Sequence, residues 1–84
     1  MLASDQIRDY VYRNYIVPGR AIKAASITVL ARDVHRALHF RNRSRMALIC
    51  DALDSKKFQT QHGIRLLQRY GRKHGANATF TFSI

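Results

Sequence analysis

Arginine side chains dominate the chemistry available to this sequence. One run alternates arginine with small polar residues: Arg41, Asn42, Arg43, Ser44 and Arg45. Ser44 is a favourable N-cap for a helix that continues to Leu53, and the N–H groups and dipole at a helix start favour an anion. Guanidinium groups match phosphate oxygens in a bidentate geometry. The run therefore predicts a phosphate clamp at the start of this helix.

Two further groups of cations flank this run in the sequence. Arg32 and Arg36 are four residues apart on a predicted helix, where like charges repel unless an anion lies across them. Arg69, Arg72 and Lys73 lie in and beside a glycine-bounded loop near the C-terminus. Each group has an alternative interpretation: a solubilising helix face for the first and an ordinary solvated loop for the second.

The overall charge narrows the class of partner. The 84 residues carry 15 Lys+Arg against 5 Asp+Glu, which gives a net charge of +10. Residues 32–45 and 64–84 hold most of the excess, whereas residues 46–63 are neutral. A compact domain with this charge repels itself unless an anion neutralises it. Nucleic acid is the leading candidate, followed by an anionic membrane surface and then an acidic protein.

Signals for catalysis or metal binding are weak. The sequence has no glutamate, its aspartates are scattered, and it has no glycine-rich phosphate loop. Cys50 falls on a predicted apolar helix stripe, which favours a buried structural thiol over a nucleophile. His35 and His39 are one turn apart, but no pattern supplies further ligands. We expect no enzymatic activity, no cofactor and no metal.

Targeting signals are also lacking in the sequence. A single cysteine cannot form an internal disulfide, and the chain has no apolar run of membrane-spanning length. The first residues lack the basic and apolar regions of a signal peptide. We expect a soluble intracellular protein of the cytoplasm, associated with the nucleoid if it binds DNA or nuclear if the source is eukaryotic, with no membrane partner.

Hydrophobic periodicity predicts a single mainly α-helical domain, residues 1–84, with a C-terminal β-hairpin. The first helix begins after Ser4 and ends near Tyr15, because the residue before Pro18 avoids helical backbone angles. A short strand at residues 26–29 precedes helices at about 30–38 and 44–53. Residues 56–63 are ambiguous, with Phe58 in the core. Residues 64–70 and the strictly alternating residues 78–84 form the hairpin.

This order of helix, short strand, helix, turn, helix and hairpin resembles the winged helix-turn-helix family from Ile27 onward. The resemblance is architectural and implies three helices with a small sheet of two or three strands. It also implies that the turn before the third helix and the hairpin tip contact a DNA backbone. The expected nucleic-acid-binding residues are Arg32, Arg36, Arg41, Asn42, Arg43, Ser44, Arg45, Arg69, Arg72 and Lys73.

Sequence-specific base recognition is expected to be weak. Base edges are bound by Arg, Lys, Asn or Gln on the outward face of a recognition helix. A helical projection of residues 44–55 places Ser44, Leu48, Asp51, Ala52 and Ser55 outward, and only Arg45 is well placed for a guanine edge. We therefore expect binding dominated by the backbone of duplex DNA, in a transcription regulator or a chromosome-associated protein.

Two other functions remain open from the sequence. The same cations suit an RNA-binding or ribonucleoprotein component, although no tandem aromatic platform for stacking bases is evident. The domain could instead be a protein–protein interaction module, or a homodimer, that uses Leu48 and the exposed hairpin edge.

Overall fold

A computed structural model describes residues 2–39, 45–72, 75 and 77–84 of the chain. The helices are α1 (Ala3–Val11), a π-helical segment (Tyr12–Ile16), α2 (Val17–Ala21), α3 (Ala31–Ala37), α4 (Arg45–Leu53) and α5 (Lys56–His62). The strands are β1 (Ser26–Leu30), β2 (Arg65–Tyr70) and β3 (Thr79–Ser83). The domain is therefore a small α+β fold, in which the first three helical segments follow one another without interruption.

The predicted end of the first helix at Tyr15 is wrong. Helical backbone continues through the π-helical segment and α2, and Val17 keeps helical angles although it precedes proline. Pro18 is the second residue of α2 and directly follows the π-helical segment, so the continuous helix accommodates a residue that donates no backbone hydrogen bond. Gly19 is buried there, and a β-carbon on it would lie 2.7 Å from both Ile27 and Ile84. Only glycine therefore lets α2 approach the sheet this closely.

The ambiguous segment 56–63 is a helix that the predicted three-helix architecture does not include. Ser55 caps α5, because its hydroxyl accepts a hydrogen bond from the Phe58 amide at 3.3 Å. Gly63 ends α5 in the left-handed region at φ +62°. Phe58 is fully buried, as predicted, and packs edge-on against Phe82 with the ring centroids 5.5 Å apart.

The three strands form one antiparallel sheet in the order β1-β3-β2. The C-terminal strand β3 is therefore central, and it pairs with β1 as well as with the β2 strand predicted as its hairpin partner. The predicted alternation is confirmed, because Phe80 and Phe82 are buried while Thr79 and Thr81 are partly exposed. A register shift at Leu67 interrupts the pairing of β2 with β3.

The core lies between the inner face of the sheet and the helices. It contains Ile7 and Val11 of α1, Val34 of α3, and Ile49 and Leu53 of α4, all with no exposed surface. Helix α4 packs against both α1 and α3. Burial of these branched side chains contributes about 1.5–3 kcal/mol each before chain entropy is counted.

The end of α2 provides a test of backbone strain. Lys23 has φ +57°, and the amides of Lys23 and Ala24 bond the carbonyls of Arg20 and Gly19 in the pattern of a helix-ending turn that favours glycine. Lys23→Gly should raise the free energy of unfolding by about 0.5–1 kcal/mol, because glycine relieves a left-handed penalty of roughly 1–2 kcal/mol but loses more chain entropy.

Urea denaturation measures this difference. Lys23→Gln removes the same charge but keeps the β-carbon, so it should change stability little. Ala21→Gly, at the last residue of α2, should lower stability by up to about 1 kcal/mol. A Lys23→Gly variant no more stable than Lys23→Gln would contradict the strain at this position.

Candidate nucleic-acid interface

Helix α3 presents two arginines on its solvent side. Ala31 and Val34 are fully buried and fix the rotation of the helix, so that Arg32 and Arg36 are exposed one turn apart. The Arg32 guanidinium donates a hydrogen bond through Nη2 to Oδ1 of Asn77, at 2.8 Å. This bond joins the first turn of α3 to the described residues between β2 and β3, which we call the β2–β3 connection: Gly71, Arg72, Gly75, Asn77 and Ala78.

The β2–β3 connection brings a further arginine to the same place. Asn77 lines a shallow concavity of about 520 Å³ together with Gly71, Arg72 and Gly75. Arg72 is exposed, and its carbonyl accepts a hydrogen bond from the Gly75 amide at 3.1 Å. The predicted site residues Arg32 and Arg72 are thus gathered around Asn77, although they are 40 positions apart in the sequence. We call Arg32, Arg36 and Arg72 the basic face.

Arg69 has a different environment from the other predicted site residues. Its side chain lies on the core face of β2, only 22% exposed, with its guanidinium 5.3 Å from the centre of the Phe80 ring. Its Nε lies 3.6 Å from Oδ2 of Asp54, and its Nη2 donates to the Arg72 carbonyl at 3.4 Å. Arg69 is therefore engaged inside the fold.

The remaining predicted site residues fall into two groups. Arg45 is exposed at the first residue of α4. The other five lie outside the described residues: Arg41, Asn42, Arg43, Ser44 and Lys73. The helix that follows the predicted Ser44 cap does run to Leu53.

The predicted outward face of α4 is partly wrong. Asp51 is exposed as expected, but Ala52 is only 3% exposed and Leu48 packs against the core. The reason is that α4 is covered by both α1 and α3, so more than one stripe of the helix is buried. The outward surface of α4 is therefore even poorer in groups that could bind base edges than the projection indicated.

Sequence reasoning missed two residues that organise this region. Asn77 and Asp54 are a turn residue and a helix-end residue by sequence, and nothing in their neighbourhood identifies Arg32 and Arg69 as their partners. Both contacts join residues far apart in the chain, so only the folded topology reveals them.

The cysteine behaves as a core residue. Cys50 is 1% exposed, and burial raises the pKa of its thiol, with the nearby Arg69 acting in the opposite direction. A thiol held in its protonated form is a poor nucleophile and a poor metal ligand. Among the described residues, no three His, Cys, Asp or Glu side chains are grouped so that they could hold a metal ion.

A second cluster lies where α5 meets the π-helical segment. The His62 ring stacks on Tyr12, with centroids 4.2 Å apart, and meets Phe58 edge-on. Arg20 donates to the His62 carbonyl at 2.6 Å. Burial, followed by the nearby Arg20 charge, lowers the pKa of His62. The same residue lines a concavity of about 420 Å³ whose two carboxylates, Asp5 and Asp9, are already paired with Arg8 and Arg13.

Comparisons of this chain with protein-family models, with curated proteins and with solved structures found no match. In the part of the chain that the structure describes, no helix is both long enough and apolar enough to cross a membrane.

The lowered pKa of His62 predicts an acid-sensitive contribution to stability. Because the folded pKa lies below the ordinary value of 6.5, this contribution is complete above pH 6.5. It is lost as the pH falls below 6.5 and through the folded pKa, since the unfolded chain then binds the extra proton. His62→Phe keeps a ring against Tyr12 but cannot titrate, so its unfolding free energy should fall less between pH 7 and pH 5.

Urea denaturation at several pH values measures this slope. His39→Gln removes an exposed histidine outside the cluster and should retain the pH dependence of the wild type. An unchanged slope in His62→Phe would remove His62 as the source of the acid sensitivity.

Proposed function

We propose that this chain is a small DNA-binding domain of the winged helix-turn-helix type that grips the duplex backbone and has weak base specificity. The observation that carries this proposal is the hydrogen bond from Arg32 to Asn77, because it gathers cations from two distant parts of the sequence on one side of the domain. A duplex backbone presents phosphates over an extended surface, which suits cations from separate elements better than a single anion does.

The order of the elements supports this proposal. A strand, two helices and then two antiparallel neighbouring strands follow one another, as in the family that the sequence resembles. Helix α5 is an additional element between α4 and β2 and departs from that pattern. In this proposal α3 and α4 correspond to the helix-turn-helix, and the β2–β3 connection corresponds to the wing.

The chemistry of the basic face also supports a polyanionic partner. Asn77 is a neutral amide, so its bond orients Arg32 without cancelling the arginine charge. Arg8 and Arg13, by contrast, are paired with the carboxylates of Asp5 and Asp9. Repulsion between Arg32 and Arg36 at one helical turn is a cost that bound phosphates would remove.

The small exposed surface of α4 supports weak base readout. Leu48 and Ala52 face the core, and Asp51 would repel phosphate. Arg45 remains the one α4 residue that we assign to a base edge. The affinity should therefore depend only weakly on the base sequence of the DNA and strongly on the salt concentration.

A salt titration on duplex DNA tests the proposed function. About six to eight phosphate contacts should give a slope of log affinity against log salt between roughly −5 and −7. Random and selected duplexes should differ little in affinity. A slope shallower than about −2 would rule out a multi-phosphate interface.

Single variants locate the interface. Arg36→Ala and Arg72→Ala should each weaken binding and make the slope shallower by about 0.9, because each removes one phosphate contact. Arg65→Ala removes the same charge at the end of β2 farthest from the β2–β3 connection and should leave the slope unchanged. Equal effects of all three variants would mean that only net charge matters.

Matched competitors separate the alternative functions. Preference for duplex RNA or for single strands would replace DNA by RNA as the partner. A complete lack of affinity for all of these polymers would favour a protein–protein interaction module.

A further inference from the structure

We infer that Arg69 is a positioning residue, which fixes the β2–β3 connection for DNA binding but does not itself contact the polyanion. The inference rests on the proposed function, and it assigns this arginine a role that its charge and its place in the sequence do not indicate. Three contacts of the same guanidinium carry the argument.

The first contact holds Arg69 against the sheet. Arg69 is the cross-strand partner of Phe80, whose ring is fully buried, and the guanidinium carbon lies 5.3 Å from the ring centre. A guanidinium on an aromatic face is attracted by the negative charge of that face. The side chain therefore lies along the inner surface of the sheet instead of extending into solvent.

The second contact compensates the charge of Arg69. Asp54 directly follows α4, where a negative side chain is unfavourable because the helix dipole is also negative at that end. The Arg69 Nε lies 3.6 Å from the Asp54 carboxylate. The arginine thus offsets an unfavourable acid, and the nearby carboxylate reduces the attraction of this guanidinium for a phosphate.

The third contact reaches the β2–β3 connection. The Arg69 Nη2 donates to the Arg72 carbonyl, which also accepts from the Gly75 amide. The Gly75 carbonyl in turn accepts from the Ala78 amide at 3.1 Å, just before β3 begins. Arg69 therefore donates to the same carbonyl that accepts from the Gly75 amide, and this carbonyl belongs to Arg72, whose side chain is part of the basic face.

Two arginines thus contact the two ends of the β2–β3 connection. Arg69 holds the beginning at Arg72, and Arg32 holds the end at Asn77. Arg32 is exposed and bonded to a neutral amide, whereas Arg69 is 22% exposed and paired with a carboxylate. Of these two arginines, Arg32 is the one whose charge is not paired with a carboxylate among the described contacts.

The first test uses a substitution for which charge and positioning predict opposite results. Asp54→Asn makes the protein more positive, so a purely electrostatic effect would tighten DNA binding. If the carboxylate fixes Arg69, the same variant should instead bind duplex DNA about tenfold more weakly. Asp51→Asn makes the same charge change on the exposed surface of α4 and serves as the matched control. Asp54→Asn binding as tightly as Asp51→Asn would overturn the inference.

The second test distinguishes positioning from direct contact. Lysine keeps the charge but lacks the planar fork that spans Asp54 and the Arg72 carbonyl. Arg69→Lys should therefore lose about as much affinity as Arg69→Ala, with an unchanged salt slope. If Arg69 contacts phosphate directly, Arg69→Lys should keep most of the affinity, and Arg69→Ala should make the slope shallower by about 0.9.

A measurement on the free protein separates this inference from the proposed function. In Arg69→Lys and Asp54→Asn, amide hydrogen exchange at Gly75 should be about tenfold faster than in the wild type, because its acceptor carbonyl is no longer fixed. Amides in α1 should keep their wild-type rates, which shows that the variants are folded. Unchanged exchange at Gly75 would overturn the positioning role, even if the wild type binds no DNA. Faster exchange in the two variants, together with a wild type that has no DNA affinity, would sustain the structural role and reject the DNA-binding proposal alone.

Discussion

The pairing of β3 with β1 is the interaction on which the rest of the structure depends. It places the last strand of the chain in the middle of the sheet, between two strands that are far apart in sequence. The pairing continues past the strand ends, where the Ala31 amide bonds the Ala78 carbonyl at 2.9 Å. The start of α3 is thereby fixed beside the β2–β3 connection, and the bond between Arg32 and Asn77 follows from that placement.

Charge compensation within the domain is selective. Asp5, Asp9 and Asp54 pair with arginines on α1, on the adjoining π-helical segment and on β2. The exposed pair of Arg13 with Asp9 contributes only about 0–1 kcal/mol, whereas Arg8 and Arg69 are largely buried beside their carboxylates. The carboxylates of these pairs reduce the positive electrostatic potential around the arginines that they contact. Arg32 is instead held by the Asn77 amide, which orients the side chain without compensating its charge.

The burial of α4 limits what a DNA complex could recognise. A helix covered by both α1 and α3 contributes Ile49, Cys50, Ala52 and Leu53 to the core and leaves a small solvent face. Stability of this short chain depends on such a central helix, because a domain of its size buries a modest core. The same packing leaves the proposed interface with cations from the ends of elements, which contact phosphates more readily than base edges.

Local sequence patterns determined much of the secondary structure. The β-branched residues 27–29, the alternation of residues 78–84 and the apolar spacing in α3 and α4 are short-range signals that tertiary contacts did not override. The sequence did not indicate that the first helix continues past Pro18 or that residues 56–62 are helical. In both places the local pattern is ambiguous, and packing against the rest of the domain decides whether the backbone is helical. The arginine content and the net charge of +10 were likewise fixed by the sequence and indicated a polyanionic partner. Only the tertiary structure decided which arginines lie on the surface together and which are held inside the fold. Arg32 contacts Asn77 and Arg69 contacts Asp54 because the order of the strands brings these residues together, although they are far apart in the sequence.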